Sequence, residues 1–302
     1  MVESKRPVDV FVDVLIHVVI VIACFLCLIP LLNTLALSFS SSVMASSGTV
    51  SFWPKQFTLA AYEAIVGEKQ FFGAFWISIK RVVLGGAINF LMMVLCAFPL
   101  AHSEKAFRGR NVYMYFLIFT MLFSGGLVPT YIVSKQLLGL SENYAALIVP
   151  LLVSPFNIIV MRSFFKSSVP LELIEAATID GSGEYSTLFR VVVPIAKPGI
   201  ATIALLNALA YWNDWFNSLL YIQQKKVLQP LQALLMELQN NTEYLNRMAG
   251  MLGPDAIAEA AKMPSQALRM VLVVFIVVPI ACAYPFFQRY IVSGLTVGSV
   301  KG

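Results

Sequence analysis

The chain has 302 residues, of which 59% are hydrophobic and 12% charged, with a formal net charge of +5. At a mean hydropathy of +0.79 it carries more apolar surface than a water-soluble core can bury, so an ordinary globular domain is excluded and a membrane-embedded chain is expected. The basic excess is scattered, which suits an anionic membrane surface and argues against a nucleic-acid partner.

In chain order, residues 1–12 are a short polar start with Lys5 and Arg6. An apolar run over 13–37, interrupted by His17, Pro30 and Asn33, is assigned as the first span. The small-residue stretch ALSFSSS imitates a cleavage site, but the run is too long for a signal-peptide core and is read as retained. Residues 38–73 form a long loop with a Trp53-Pro54 pair and a short surface helix around 59–66. The second span covers about 75–101. Its Lys80 and Arg81 are expected to snorkel to the interface, and Gly85-Gly86 permit a close helix approach.

Lys105, Arg108 and Arg110 share the next short loop. The third span covers about 112–133, with Gly125-Gly126 and Pro129 near its far end, and the fourth about 144–164, interrupted by Pro150 and Pro155. The fifth covers about 199–222 and the sixth about 267–291, before a tail at 292–302. Between the last two lies a loop at 223–266, with an amphipathic stretch at 228–238, a Gly253-Pro254 turn and an alanine-rich helix signal at 255–262. The expected fold is therefore an all-α integral membrane protein with six transmembrane helices. Cys24, Cys27, Cys96 and Cys282 all lie in apolar runs and are read as packing groups.

Orientation follows the positive charge of the short loops. Three basic residues follow the second span against a single Lys135 after the third. Placing the former inside puts both termini, and the segment at 170–194, in the cytoplasm. The loops at 38–73 and 223–266 then lie outside.

That segment, PLELIEAATIDGSGEYSTLFRVVVP, is the longest polar interruption on the inner side. Pro170 suits a first helical turn with Ser168 as its cap, and Leu171, Ile174 and Thr178 fall on one face. Gly181 stands where a left-handed residue ends a helix. Ser182 is expected to cap a second helix through Phe189, which Pro194 stops.

Glu175-Ala176-Ala177, three residues, Gly181, nine residues, then Val191-Val192-Val193-Pro194 resembles the EAA signature of permease subunits in bacterial ABC importers, with Asp180 before the glycine and valines in place of Ile and Leu. Together with SPFNIIVMRSFF before it and PIAKPGIATIALLNALAYWNDW after it, the resemblance extends from about Phe71 to the C-terminus. It is nearest to carbohydrate importers of the maltose-transporter kind, in the branch handling oligosaccharides and complex glycans. The resemblance implies a type I ABC importer permease fold over 74–291, with the EAA loop at 165–196, in a bacterial cell membrane. It implies that the helix at 170–180 is a coupling helix seated in a cleft of an ATP-hydrolysing subunit. There Glu175 pairs with a basic residue, Ala176 and Ala177 keep the contact face small, and Gly181 permits the turn. It also implies the partners: a second, different permease, two ATP-binding subunits that use ATP and Mg, and an extracellular solute-binding protein. No cofactor is assigned to this chain.

The residues themselves offer little catalytic chemistry. There is no G-x-x-x-x-G-K-[ST], H-E-x-x-H or G-x-S-x-G, and the two histidines, His17 and His102, are isolated. A transport subunit without its own ATPase site is expected. An ion-coupled carrier would place carboxylates near mid-bilayer, and the one acid well inside a late span is Asp214. The cluster of Tyr211, Trp212, Asn213, Asp214 and Asn217 is either an interfacial aromatic belt or the lining of a sugar path, where aromatic faces cover pyranose rings and amides bond hydroxyls. The mid-span Asn157 and Asn207 serve the same path or bond helix to helix. An ABC permease for a polyamine or phosphate is the alternative to a carbohydrate permease.

Overall fold

The computed structural model describes residues 7–252 and 265–299. Among them the one extended pairing is an isolated bridge between Ser40 and Phe57. The remaining regular structure is helical, because in lipid a segment has to satisfy its own backbone hydrogen bonds. Helix α1 (Pro7–Ser38) precedes the short α2 (Ser42–Ser46) and α3 (Ala60–Gly67), and then α4 (Lys69–Ala101). Helices α5 (Arg110–Leu122) and α6 (Leu127–Leu137) meet at 112°, and α7 (Ala145–Leu151) and α8 (Pro155–Ser168) at 55°. After α9 (Leu171–Ile179) and α10 (Glu184–Ile195), α11 (Lys197–Asn213) departs at 87°. The described chain is completed by α12 (Phe216–Tyr221), α13 (Leu231–Leu252) and α14 (Gln266–Ser299). Among the described residues three helices, α1, α4 and α14, are long and apolar enough to cross a bilayer unbroken, and counting each bent pair as one span gives up to six.

The six runs of the sequence are therefore present, but three are not the single rods expected. The third breaks at 123–126, where Gly126 adopts φ +83. The fourth breaks before Pro155, whose ring holds Ser154 extended at φ −110, ψ 108. The fifth ends at Asn213, and α12 is a separate short helix. The sixth runs on to Ser299, so the start of the expected tail at 292–302 is helical. The surface helix expected around 59–66 is α3. In the loop at 223–266 the amphipathic stretch becomes α13, while the Gly253-Pro254 turn and the helix signal at 255–262 lie outside the described residues.

The chain divides into two compact units. One comprises Met1–Lys69 and Glu237–Val277. In it the most apolar stretch of α1 buries no residue, and the ring of Phe39 stacks on Tyr62 with centroids 4.9 Å apart. The other comprises Gln70–Met236 and Val278–Gly302. Its larger core joins Met93, Val94, Ala97 and Phe98 of α4 to Ile158, Met161 and Phe165 of α8 and to Leu188, Val192 and Ala196. Because α10 and the α10–α11 corner contribute to that core, the polar interruption is mounted on the spans rather than hung from them.

Candidate functional site: an exposed elbow and a buried polar seam

The elbow is built from α9 and α10. Helix α9 starts after Pro170, whose fixed φ of −58 needs no donor at that position, and it has no side-chain cap. Ser168, the expected cap, is instead the last residue of α8, because Val169 is buried in the core and pulls the intervening chain extended. The far end of α9 is as expected. Gly181 lies at φ +79, its N–H donates to the Thr178 carbonyl (3.0 Å), and Ser182 N–H donates to that of Ala177 (2.9 Å), the two bonds of a Schellman stop. Asp180 is the C-cap residue.

Two further expectations are corrected. Ser182 does not cap the second helix; its hydroxyl accepts from Thr187 (3.1 Å), and α10 begins after Gly183. Nor does Pro194 stop it. A widened π turn at Leu188–Val192 moves carbonyls out of the path of the proline ring, and the helix passes through Pro194 to Ile195.

Leu171, Ile174 and Thr178 share a face, as expected, and line a cleft of ≈ 1090 Å³. Ile174 packs on the core, while Leu171 is 59% and Ile179 85% exposed. Glu175 and Ala176 are exposed, and Ala177 is half-buried. The opposite wall is the loop after α4, where His102 stands 4.0 Å from Glu184. The end of α4 is tied down there by basic groups: Arg162 donates to the Leu100 carbonyl (2.7 Å) and Arg110 to that of His102 (3.0 Å).

The second feature is a seam of buried polar side chains across the helix breaks. Arg81 does not snorkel: it is 1% exposed. Its Nε donates to the Leu147 carbonyl (2.7 Å), Nη1 to the Asp214 carbonyl (2.7 Å) and to Ser218 (3.3 Å), and Nη2 to the Asp214 carboxylate. Lys80, its neighbour, is exposed. Tyr211 donates to the Ile148 carbonyl (3.1 Å), and its ring lies where a side chain at Gly85 would stand, 2.7 Å from a β-carbon built there.

A chain of amides follows. Asn157 of α8 donates to Asn207 of α11 (2.6 Å), Asn207 to Asn89 of α4 (2.6 Å), and Asn89 to the Leu152 carbonyl at the α7–α8 break (2.7 Å). The carbonyls freed where the fourth span bends are thus taken up by side chains of the second and fifth spans, the condition for a broken helix at membrane depth.

Of the residues proposed for a sugar path, Tyr211, Trp212 and Asn207 are buried, Asn157 and Asn217 half-buried, and Asn213 exposed. Asp214 accepts from the backbone and side-chain amides of Asn217 (3.2 and 3.1 Å), and so starts α12. Sequence reasoning missed Asn89, Ser218 and the true position of Arg81. The one signal for Arg81 was an arginine inside a span, which a second charge far along the chain had to answer.

A helical chain with three bent spans, one of whose breaks is closed by buried polar groups from other helices, has the features of a membrane transport subunit. The chain belongs to the family described as binding-protein-dependent transport system inner membrane component, whose model matches residues 70–297. It is 37% identical over 275 residues to Protein LplC of Bacillus subtilis (strain 168), covering 91% of this chain and 90% of that one. To the polygalacturonan/rhamnogalacturonan transport system permease protein YtcP of the same organism it is 33% identical over 291 residues, covering 96% and 98%. Among solved structures it is similar to a bacterial ABC transporter involved in the import of the acidic polysaccharide alginate, with a TM-score of 0.79 and 26% identity over 95% of this chain and 99% of that one.

Proposed function

We propose that this chain is one permease of an ATP-driven carbohydrate importer, carrying an oligosaccharide delivered by an extracellular binding protein. The observation that carries this reading is the mounting of α9: its outer face is open while Ile174, Leu188 and Val192 root the elbow in the same core as α4 and α8. A push on such a helix moves the spans rather than bending a loop. The family's dependence on a binding protein, the polygalacturonan/rhamnogalacturonan permease and the alginate importer support the substrate class.

In this mechanism two ATPase subunits, using ATP and Mg, close on each other and carry the coupling helices of this chain and a second, different permease with them. Glu175 pairs with a basic group of the ATPase, Ala176 and Ala177 let the helix seat, and Leu171 fills an apolar hollow. The movement turns the cavity from inward- to outward-facing. Both termini lie in the cytoplasm. The sugar path runs along the seam, with Asn213 open to it and Asn157, Asn207, Tyr211, Trp212, Asp214 and Asn217 shaping its wall. No ATPase chemistry resides in this chain.

The test uses the assembled complex. Glu175→Ala and Gly181→Leu are expected to uncouple ATP hydrolysis from uptake; unchanged assembly and uptake in both would remove the coupling role. Stimulation of ATP hydrolysis by a panel of oligosaccharides, with a polyamine and phosphate beside them, tests the substrate. A response to the latter two alone overturns the carbohydrate reading.

A further inference from the structure

The loop that leaves α1 doubles back along it. Asn33 Nδ2 donates to the carbonyls of Val50 (3.2 Å) and Ser51 (2.7 Å), so Ser51 lies level with a residue more than a turn before the end of α1. The chain then climbs back along the helix end. Lys55 N–H donates to Ser40 Oγ (3.0 Å), Ser41 Oγ to Gln56 Oε1 (2.8 Å), and Thr58 N–H to the Phe39 carbonyl (3.0 Å). Gln56 is held at φ +52, a left-handed conformation that costs a side-chain-bearing residue energy and that these bonds maintain. Phe52 and Trp53 directly follow the Ser51 that Asn33 holds, and they are 51% and 83% exposed.

Their height can be read against α1. Its apolar stretch at 14–32, interrupted by His17 and Pro30, is about 28 Å long at 1.5 Å per residue, close to the ~30 Å of a bilayer's hydrocarbon. One edge of that layer then falls at Asn33, the residue that holds the loop. Two large rings, fixed by backbone pairing and left uncovered, are thus placed at the boundary between acyl chains and headgroups. Tryptophan suits that boundary, because its ring is apolar and its indole N–H has a donor to offer an ester carbonyl.

We propose that Phe52 and Trp53 insert into phospholipid at the edge of the hydrocarbon layer, and that the loop at 47–57 is a built membrane anchor. The lipid depth does not depend on which leaflet is occupied; under the topology proposed above it is the outer one.

The complex is reconstituted in phosphatidylcholine vesicles brominated either high or low on the acyl chain, with Trp53→Phe beside the native protein. Phenylalanine keeps the ring, and the difference in emission isolates Trp53 from Trp76, Trp212 and Trp215. The expected result is loss of that difference emission in the high-brominated vesicles, a smaller loss in the low-brominated ones, and none with aqueous iodide. Loss to iodide alone overturns the proposal in favour of a water-exposed tip. Survival against all three quenchers overturns it in favour of a protein partner that covers the loop.

Discussion

At the elbow, apolar side chains lie open: Leu171, Ile179 and Tyr185 are exposed, and the charged groups around them, Glu172, Glu175 and Glu184, face the same cleft. At the seam the arrangement is reversed. Arg81, Asn89 and Asn207 are buried, and their bonds run to one another, to Asp214 and to backbone carbonyls. The first surface is open, whereas the polar groups of the second bond among themselves and to backbone carbonyls. Under the mechanism proposed above, the difference separates a place where the chain is moved from a place where it holds its shape. That mechanism needs both, because a push at the elbow reaches the far side only if the bent spans keep their geometry.

The largest expected effect lies at the ion pair of the seam. Arg81→Met leaves the Asp214 carboxylate, 10% exposed, without its cation and the Leu147 carbonyl without a donor. Breaking a buried pair from one side costs about 3–5 kcal/mol, whereas replacing both partners by apolar groups is often close to neutral. Thermal unfolding of the purified complex in detergent should therefore fall sharply for Arg81→Met and recover in large part in Arg81→Met/Asp214→Leu. A single variant as stable as the native chain would mean that the seam does not hold the bends.

A smaller loss is expected along the amide chain. Asn207→Leu removes one partner from Asn157 and one from Asn89, two interhelical bonds worth roughly 1–2 kcal/mol together in a membrane protein. If these amides only join helices, unfolding shifts while the apparent sugar affinity of the assembled importer stays. A raised KM at unchanged stability would sharpen the picture differently, placing Asn207 on the substrate side of the seam.

These two sites also mark what the sequence could and could not disclose. Apolar runs disclosed six spans because hydropathy is local. Pro170 and Gly181 disclosed the limits of α9 because each acts through its own backbone. The bends were harder. Gly125-Gly126 and Pro155 were visible, yet whether such a residue kinks a span or is absorbed depends on who receives the freed carbonyls. For the fourth span those receivers are Arg81, Tyr211 and Asn89, on other helices. Arg81 itself was misplaced for the same reason: Asp214 is 133 positions away, and a Lys80-Arg81 pair near the start of an expected span reads as interfacial. At the elbow, Ser168 and Ser182 had the chemistry of caps, but the burial of Val169 and the start of α10 after Gly183 decided those helix ends, and the π turn at Leu188–Val192 carried the helix past Pro194.

The smallest effect belongs to a third polar device, outside the spans, that behaves as the seam does but in reach of water. Glu142, at φ +53, accepts the consecutive backbone N–H groups of Gln223 (2.8 Å), Gln224 (3.0 Å) and Lys225 (2.8 Å), while its own N–H donates to the Tyr221 carbonyl (3.0 Å). Burial is the largest single influence and raises its pKa, but the three N–H donors and the charge of Lys225 together outweigh it and hold the carboxyl below its usual range. A depressed carboxylate stabilises the folded state above its unfolded pKa, and the contribution is lost as pH falls through the folded value. The joint between the α6–α7 loop and the chain after α12 should therefore be tight at neutral pH and loosen only in acid, beyond the point where an ordinary glutamate has already taken up its proton. Amide hydrogen exchange at 223–225, corrected for its intrinsic pH dependence, should show protection that falls in that acid range. In Glu142→Gln protection should be lower at neutral pH and flat with acid, because a neutral amide accepts more weakly and does not titrate. Equal protection in both proteins across the range would mean that the backbone alone holds the joint, and that self-satisfied polarity in this chain is confined to the seam.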